Sequence, residues 1–340
     1  MNILCCESDS LVTSYFTKHG GTHKIVFQAA TAQNAIPDTT AEVLSVFVNS
    51  RVDALTLEKF PALKLVVTRS TGYDHIDLAA CAKKNIAVSN VPTYGERTVA
   101  EYTFALLLTL SRRVYWSVQR IREEGRFHTE GLKGFDLAGK TLGVIGTGRI
   151  GCHVIKIANG FDMNVVAYDP YPKSNLEKAC NMKYAALDDL LTRSDVITLH
   201  APYMPATHHL LNQENMKLIK PGAVLVNTAR GALVETTGLV TALKEGRLSG
   251  AALDVLEEEG YVGEEWRLLS QDAPVSGKME TVLADHQLMS FPNVIITPHN
   301  AFNTQEALER ILDVTLDNIQ TYSTGVLQNG VSTVQGGSAS

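Results

Sequence analysis

Over the first ninety residues, apolar positions come in short unbroken runs, separated by stretches where they recur every three or four residues. The runs predict strands at 3–6, 24–28, 44–48, 65–67 and 86–88, and the spaced stretches predict helices at 10–18, 56–60 and 78–84. Such alternation builds a small α/β unit on a parallel sheet. A long helical pattern follows from Thr98 to about Glu124, apolar through Ala105-Leu106-Leu107-Leu108 and then basic at Arg112, Arg113, Arg120 and Arg122. It is expected to connect two domains, its basic end being solvated or part of a subunit contact. From Lys140 the alternation resumes, with strands at 141–145, 165–168, 196–199, 223–226, 251–253 and 294–296 and helices near 187–192, 212–218 and 236–245. That is the pattern of a doubly wound sheet. An amphipathic stretch over 301–322, with Leu308, Ile311, Leu312 and Ile319 on related faces, is expected to return to the first domain and make it discontinuous.

The strand over 141–145 runs directly into Gly146-Thr147-Gly148-Arg149-Ile150-Gly151 and then into a helical pattern. A glycine cluster at a strand-to-helix turn is what a dinucleotide site requires. Gly146 permits the tight turn, Gly148 clears the backbone for a pyrophosphate, and Gly151 lets helix and strand pack closely. The helix N-terminus then offers free N–H groups to phosphate, and Arg149 stands beside them. The next strand ends at Asp169, roughly the 20 residues on at which an acid meets a ribose 2′-hydroxyl. A carboxylate there repels a 2′-phosphate, so the expected cofactor is NAD rather than NADP.

At 340 residues the chain fits two domains. A formal charge of −6 gives no global basic field, so neither nucleic acid nor an anionic membrane is expected as the main partner. Cys5, Cys6, Cys81, Cys152 and Cys180 are odd in number and lack C-x-x-C spacing; a reducing, cytoplasmic setting is expected, with no metal. The amino terminus lacks a basic flank, so no secretory signal is expected, and no window is long enough to span a membrane. Residues 336–340, all small, are expected to be a disordered tail.

Three stretches end strands on the ligand side of the second sheet: Asn227-Thr228-Ala229-Arg230-Gly231, Asp254 continuing to Glu257-Glu258-Glu259, and Thr297-Pro298-His299-Asn300. An arginine, an acid and a histidine can converge there. Hydride transfer between NAD and a 2-hydroxy acid calls for such a set. Arginine grips a carboxylate at two points, histidine exchanges the hydroxyl proton, and a carboxylate fixes the imidazole tautomer. Singly each has an ordinary reading: Arg230 as an ion pair, Glu259 as one of an acidic loop, His299 as a satisfied histidine. His200, His208, His209 and His286 compete for the base role. In the first domain, Ser70-Thr71-Gly72 follows a strand, and its N–H groups would suit an anion nest; the plain alternative is a turn with Gly72 at positive φ.

The segments KTLGVIGTGRIG, VNTARGALV, GAALDVLEEE and VIITPHNAF, in this order and spacing, resemble the D-isomer-specific 2-hydroxyacid dehydrogenases; TRSTGYDHIDL and VSNVPTYGERTVAEYTFALLL extend the likeness, most closely toward the D-lactate dehydrogenase branch. The resemblance implies an α/β chain of two Rossmann-like domains. A doubly wound parallel-sheet NAD domain (101–299) is inserted in a discontinuous flavodoxin-like substrate domain (1–100 and 300–335), with the active site between them and a homodimer through the NAD domains. It implies that Arg230 binds the substrate carboxylate and carbonyl, that His299 is the acid/base and that Glu259 is its partner. Ser70, Thr71 and Gly72 match the loop receiving the carboxylate, and Phe302 an apolar position beside the substrate. Gly146, Gly148, Arg149, Ile150, Gly151 and Asp169 match pyrophosphate and ribose contacts. Ala201, Pro202, Thr207, Thr228, Ala229 and Asp254 match positions lining the adenine and nicotinamide sites, to which Arg230 also belongs.

Tyr102 departs from the family, standing where many members carry histidine. The long interval between Glu259 and His299 implies an insertion over 260–287 at the cleft rim, with Tyr261 and Trp266 packing there. The function so implied is reduction of pyruvate, or another small 2-oxo acid, to the D-2-hydroxy acid by NADH. The alternatives are a glycerate or hydroxypyruvate reductase, or an NADH-sensing binding protein of the corepressor kind. A phosphoglycerate enzyme is not expected, since little chain follows the return helix.

Overall fold

The computed structural model describes residues 1–259 and 276–331. Two compact units divide the chain, parting between Tyr94 and Gly95 and again between Asn303 and Thr304. The first unit opens with β1 (Asn2–Cys5), α1 (Ser10–His19), β2 (Lys24–Phe27), β3 (Val43–Val46), α2 (Ala54–Glu58), β4 (Leu65–Thr68), α3 (Leu78–Lys83) and β5 (Ala87–Ser89). Its strands lie in the order β2-β1-β3-β4-β5, all parallel. The central β3 and β4 are buried at every residue, which is why they read as unbroken apolar runs. These three helices each start at an aspartate: Asp9, Asp53 and Asp77 accept the backbone N–H groups of Val12, Thr56 and Ala80 and so satisfy donors left over in a first turn.

The second unit contains α4 (Glu96–Ser111), α5 (Val114–Glu124), β6 (Thr141–Ile145), α6 (Arg149–Gly160), β7 (Asn164–Tyr168), α7 (Ser174–Ala179), β8 (Lys183–Tyr184), α8 (Leu187–Arg193), β9 (Val196–Leu199), α9 (Gln213–Met216), β10 (Ala223–Asn227), α10 (Thr236–Lys244), β11 (Leu248–Leu253), α11 (Ser276–Ser290) and β12 (Val294–Ile296). Its parallel sheet has the order β12-β11-β10-β9-β6-β7-β8, so the winding reverses beside β6, where open α/β sheets hold their ligands. Register places Asn227 beside Leu253 and Leu253 beside Ile296, which brings the chain just past β10, β11 and β12 together at one edge of the sheet. Apolar side chains cover both faces: Phe104, Leu107, Val154 and Ile155 with Val144 and Val226 on one, Leu190, Leu211, Leu239 and Leu288 with Ile145 and Leu225 on the other. The final helix, α12 (Gln305–Ser323), returns to the first unit, where Ile319 packs on Ile3, Val43 and Val67.

Three expectations change. The helix expected over 98–124 is two helices. Ser111 is the last residue of α4, its carbonyl accepts the Phe135 N–H from a later segment, and Arg113 takes a left-handed φ of 54°. Arg113 then stacks over the Trp116 ring at 4.8 Å, so the basic cluster has an aromatic partner. α4 belongs wholly to the second unit, packing on α6, and the seams expected at 100/101 and 299/300 fall at 94/95 and 303/304. The insertion expected over 260–287 at the cleft rim includes much of α11, a helix packed on α10 and β12, while its residues 260–275 lie outside the described residues. Tyr261, Trp266 and the tail at 336–340 lie outside the described residues. No helix among the described residues is long and apolar enough to cross a membrane.

Candidate active site

The glycine turn divides by what surrounds each glycine. Gly146 has φ +97°, and a Cβ on it would lie 2.8 Å from the His200 and Ala201 backbone, so the turn excludes other residues on both counts. A Cβ on Gly151 would lie 2.0 Å from the Gly146 carbonyl oxygen, which seats α6 against β6. Gly148 is different: its φ is −68° and a Cβ there would meet nothing within 4 Å. Nothing among the described residues requires Gly148 to be glycine, whereas a pyrophosphate approaching the N-terminus of α6 would. Arg149 is exposed beside it, 4.0 Å from the Glu96 carboxylate, and Ile150 is half-buried.

Asp169 ends β7 as expected and also holds the turn. Its Oδ2 accepts the Thr147 N–H and hydroxyl, each at 2.8 Å, and its Oδ1 accepts the Tyr171 N–H at 2.9 Å. Tyr184 completes the set through a 2.9 Å hydroxyl contact with Thr147. Thr147 and Tyr184 are not legible from sequence as partners of Asp169, because the contacts join a turn to an edge strand whose two residues are too few to show a period. On the other side of the crevice Thr207 closes its own loop, donating to the Pro202 carbonyl and accepting the Met204 N–H, with Ala201 half-buried and Pro202 exposed. The donor set, the open approach at Gly148 and the acid at the strand end fit a dinucleotide.

Past β10, Asn227 brackets the arginine turn. Its Oδ1 accepts the Ala229 N–H and its Nδ2 donates to the Arg230 carbonyl. Thr228 is tied through its hydroxyl to Thr103 at 2.9 Å. Arg230 is half-buried in an extended conformation, with Nη1 donating to the Ala229 carbonyl. A Cβ on Gly231 would lie 2.0 Å from the Leu256 carbonyl group, so the arginine turn and the acidic loop meet backbone to backbone.

The histidine is fixed from below. Asp254, 1% exposed, accepts the Thr297 hydroxyl at 2.5 Å and the Asn300 and Ala301 N–H groups at 2.8 Å, while its carbonyl accepts the His299 N–H. Burial is the largest influence on its carboxyl and pushes the pKa up, against the pull of these hydrogen bonds. The Asp254 contacts fold 297–301 into a tight loop in which His299 takes a φ of 52°, a costly conformation for a non-glycine residue. His299 Nδ1 then lies 2.9 Å from Glu259 Oε1. With Nδ1 so engaged, Nε2 is the atom left to exchange a proton. Phe302, half-buried, follows in the same unit.

The competing histidines have other surroundings. His200 is half-buried, its Nε2 2.9 Å from the Thr198 hydroxyl, and desolvation holds its pKa down at about 3, so it stays neutral at working pH. His209 lies 2.6 Å from Glu257 and stacks on His208. These three residues are the one group among the described residues with donor atoms close enough to hold a metal, but Glu257 already accepts His209 on Oε1 and Thr236 on Oε2. In the first unit, Ser70 is 2% exposed and donates to the Gly72 carbonyl, and Thr71 donates to the Val91 carbonyl. Gly72 is not among the residues with positive φ, so the left-handed turn considered there does not form.

Known proteins share this fold and much of this sequence. Residues 104–301 match the family model described as D-isomer specific 2-hydroxyacid dehydrogenase, NAD binding domain. A 2-hydroxyacid dehydrogenase homolog of Haemophilus influenzae is 41% identical over 289 residues, 84% of this chain and 83% of that one. The D-lactate dehydrogenase of Escherichia coli is 36% identical over 84% of each chain. Among solved structures, D-lactate dehydrogenase from Aquifex aeolicus, complexed with NAD and lactic acid, superposes with a TM-score of 0.84 at 35% identity, over 95% of this chain and 96% of that one. The chain belongs to the D-isomer-specific 2-hydroxyacid dehydrogenases and is an NAD-dependent oxidoreductase.

Proposed function

We propose that the protein reduces pyruvate to D-lactate with NADH. The observation that carries this reading is the Glu259–His299 contact at 2.9 Å, next to an arginine turn that touches the same acidic loop. Bound NADH supplies the hydride. Gly148 and the α6 N-terminus take the pyrophosphate with Arg149 and Ile150 beside it, Asp169 takes the ribose, and Ala201, Pro202, Thr207, Thr228, Ala229 and Asp254 line the rest of the cofactor site.

Arg230 holds the substrate carboxylate and polarises the carbonyl, since its planar fork matches a carboxylate at two points. The protonated His299 ring donates from Nε2 to the carbonyl oxygen as hydride reaches the carbon, giving the alcohol and a neutral imidazole. Glu259 at Nδ1 fixes the tautomer and compensates the ring's charge while it is protonated. In the first unit, the Ser70-Thr71-Gly72 loop is assigned to the carboxylate, and Phe302 to the substrate's methyl side. The D-lactate dehydrogenases of Escherichia coli and Aquifex aeolicus support the choice of pyruvate.

We assign the protein to the cytoplasm, in keeping with five free cysteines, three of them buried. Homodimerisation through the NAD domain is supported by α5, which buries none of its residues and exposes Val114, Tyr115, Val118 and Ile121, with Phe127, 93% exposed, just beyond. NADH oxidation with a panel of pyruvate, hydroxypyruvate, glyoxylate and bulkier 2-oxo acids tests the substrate. A kcat/KM for pyruvate at least tenfold above the others is expected, and a higher value for hydroxypyruvate would replace this reading with a glycerate-forming one.

A further inference from the structure

One buried acid near the site has no role in the chemistry above. Asp285 on α11 is 0% exposed, and both its carboxylate oxygens lack a hydrogen-bond partner among the described residues, a costly arrangement for a charged group. It lines a cavity of about 10 Å³ together with Asn227 and Gly231 of the arginine turn and Leu256 and Glu257 of the acidic loop. This is where those two turns press together, and Glu259 leaves the same loop to reach His299.

The charges facing Asp285 are lopsided. Glu257 lines the same cavity, and its carboxylate and that of Glu258 oppose ionisation, while the Glu258 N–H favours it without reaching hydrogen-bond geometry. On its own helix His286 favours ionisation, while the cation of α10, Lys244, is occupied with Gln287. Burial is the largest influence, and the carboxyl is pushed up to about 7.

We infer that Asp285 is a positioning residue for the Glu259–His299 pair: as an uncharged acid it lets the Leu256–Glu259 loop settle against α11, and as a carboxylate it repels that loop. An ionised Asp285 adds a third negative charge beside Glu257 and Glu258 at a buried position that bulk solvent screens weakly, so the loop moves outward and takes Glu259 from His299. The inference rests on the acid–base reading of that pair.

The test compares wild type with Asp285→Asn, which keeps the shape of the neutral acid and cannot ionise. Two quantities are followed from pH 5.5 to 8.5: kcat and KM for pyruvate reduction, and the low-field proton resonance of the His299 Nδ1–H, assigned by its loss in His299→Gln. Asp285→Asn should keep the resonance, and at least threefold more of its low-pH kcat, at pH 8 than wild type does, with KM changed less than twofold. Identical pH dependence of the resonance in the two proteins overturns the inference, as does its absence from wild type throughout. Should Asp285→Asn not fold, Asp285→Leu removes the same charge and must give the same persistence of the resonance. If no variant turns over any 2-oxo acid, the dehydrogenase reading has failed, and the resonance still decides the role of Asp285.

Discussion

Glu259 meets His299 at Nδ1, not at Nε2, across 2.9 Å. In the proposed mechanism the carboxylate therefore works on the side of the ring away from the proton exchange. Glu259→Gln should keep the hydrogen bond but lose the charge that compensates the imidazolium, lowering kcat for pyruvate about 10–100-fold. His299→Gln removes the proton donor itself and should cost about 10²–10⁴-fold. NADH affinity, read by fluorescence titration, should stay within about twofold in both. Equal losses in kcat and NADH affinity would mean that the histidine loop serves the cofactor.

Arg230→Lys retains charge but not the planar fork. The Asn227 bracket grips only the backbone of the turn, so the substitution should leave it intact. KM for pyruvate should rise by about two orders of magnitude, roughly the 1.5–3 kcal/mol of a charge-assisted contact, with a smaller fall in kcat. Steady-state kinetics at saturating NADH checks this, and wild-type constants would remove Arg230 from the substrate.

Two glycines of one motif should respond oppositely to alanine. Gly148→Ala places a methyl group in open space at an ordinary φ, so thermal stability should hold within about 1–2 °C, while NADH affinity falls at least tenfold, about 1.4 kcal/mol. Gly151→Ala drives a methyl into the Gly146 carbonyl and should lower Tm by several degrees, a change of about 2 kcal/mol. Calorimetry with and without NADH separates the two.

Asp285 also predicts a pH dependence of stability. Its folded-state pKa, about 7, lies above that of an unfolded carboxyl, so the native state holds the proton longer. The stability linked to that proton is full below the unfolded pKa of about 3.9 and is lost as pH rises through about 7. Asp285→Asn should therefore gain in Tm relative to wild type by on the order of 5 °C between pH 4 and pH 8. A constant difference over that range would show that the carboxyl does not change charge there.

The doubly wound sheet was legible because its central strands are buried on both faces and so appear as continuous apolar runs, as in Val224 to Val226. Arg230, Glu259 and His299 were legible as residues because each follows a strand end, but Glu259 and His299 lie about forty positions apart and only the pairing of β11 with β12 brings their loops together. The break after Ser111 was hidden: Ser-Arg-Arg carries no glycine or proline, and the chain turns because Phe135, a tertiary partner, takes the carbonyl. Asp285 was hidden for a related reason. An aspartate in a polar helical stretch looks solvated until the loop packed over it is known.

The tie between Asp254 and the 297–301 loop has a consequence for how activity fails. Asp254 stands just past β11, His299 just past β12, and β12 is three residues long and lies at the edge of the sheet among the described residues. Edge elements of this kind exchange their amides through small local openings that leave the remaining sheet intact. Fraying of β12 would release the strained φ of His299 and dismantle the Glu259–His299 pair while the glycine turn, past β6 on the other side of the sheet order, stayed folded. Mild denaturant should thus produce a protein that still holds NADH but no longer turns over, so that inactivation precedes unfolding.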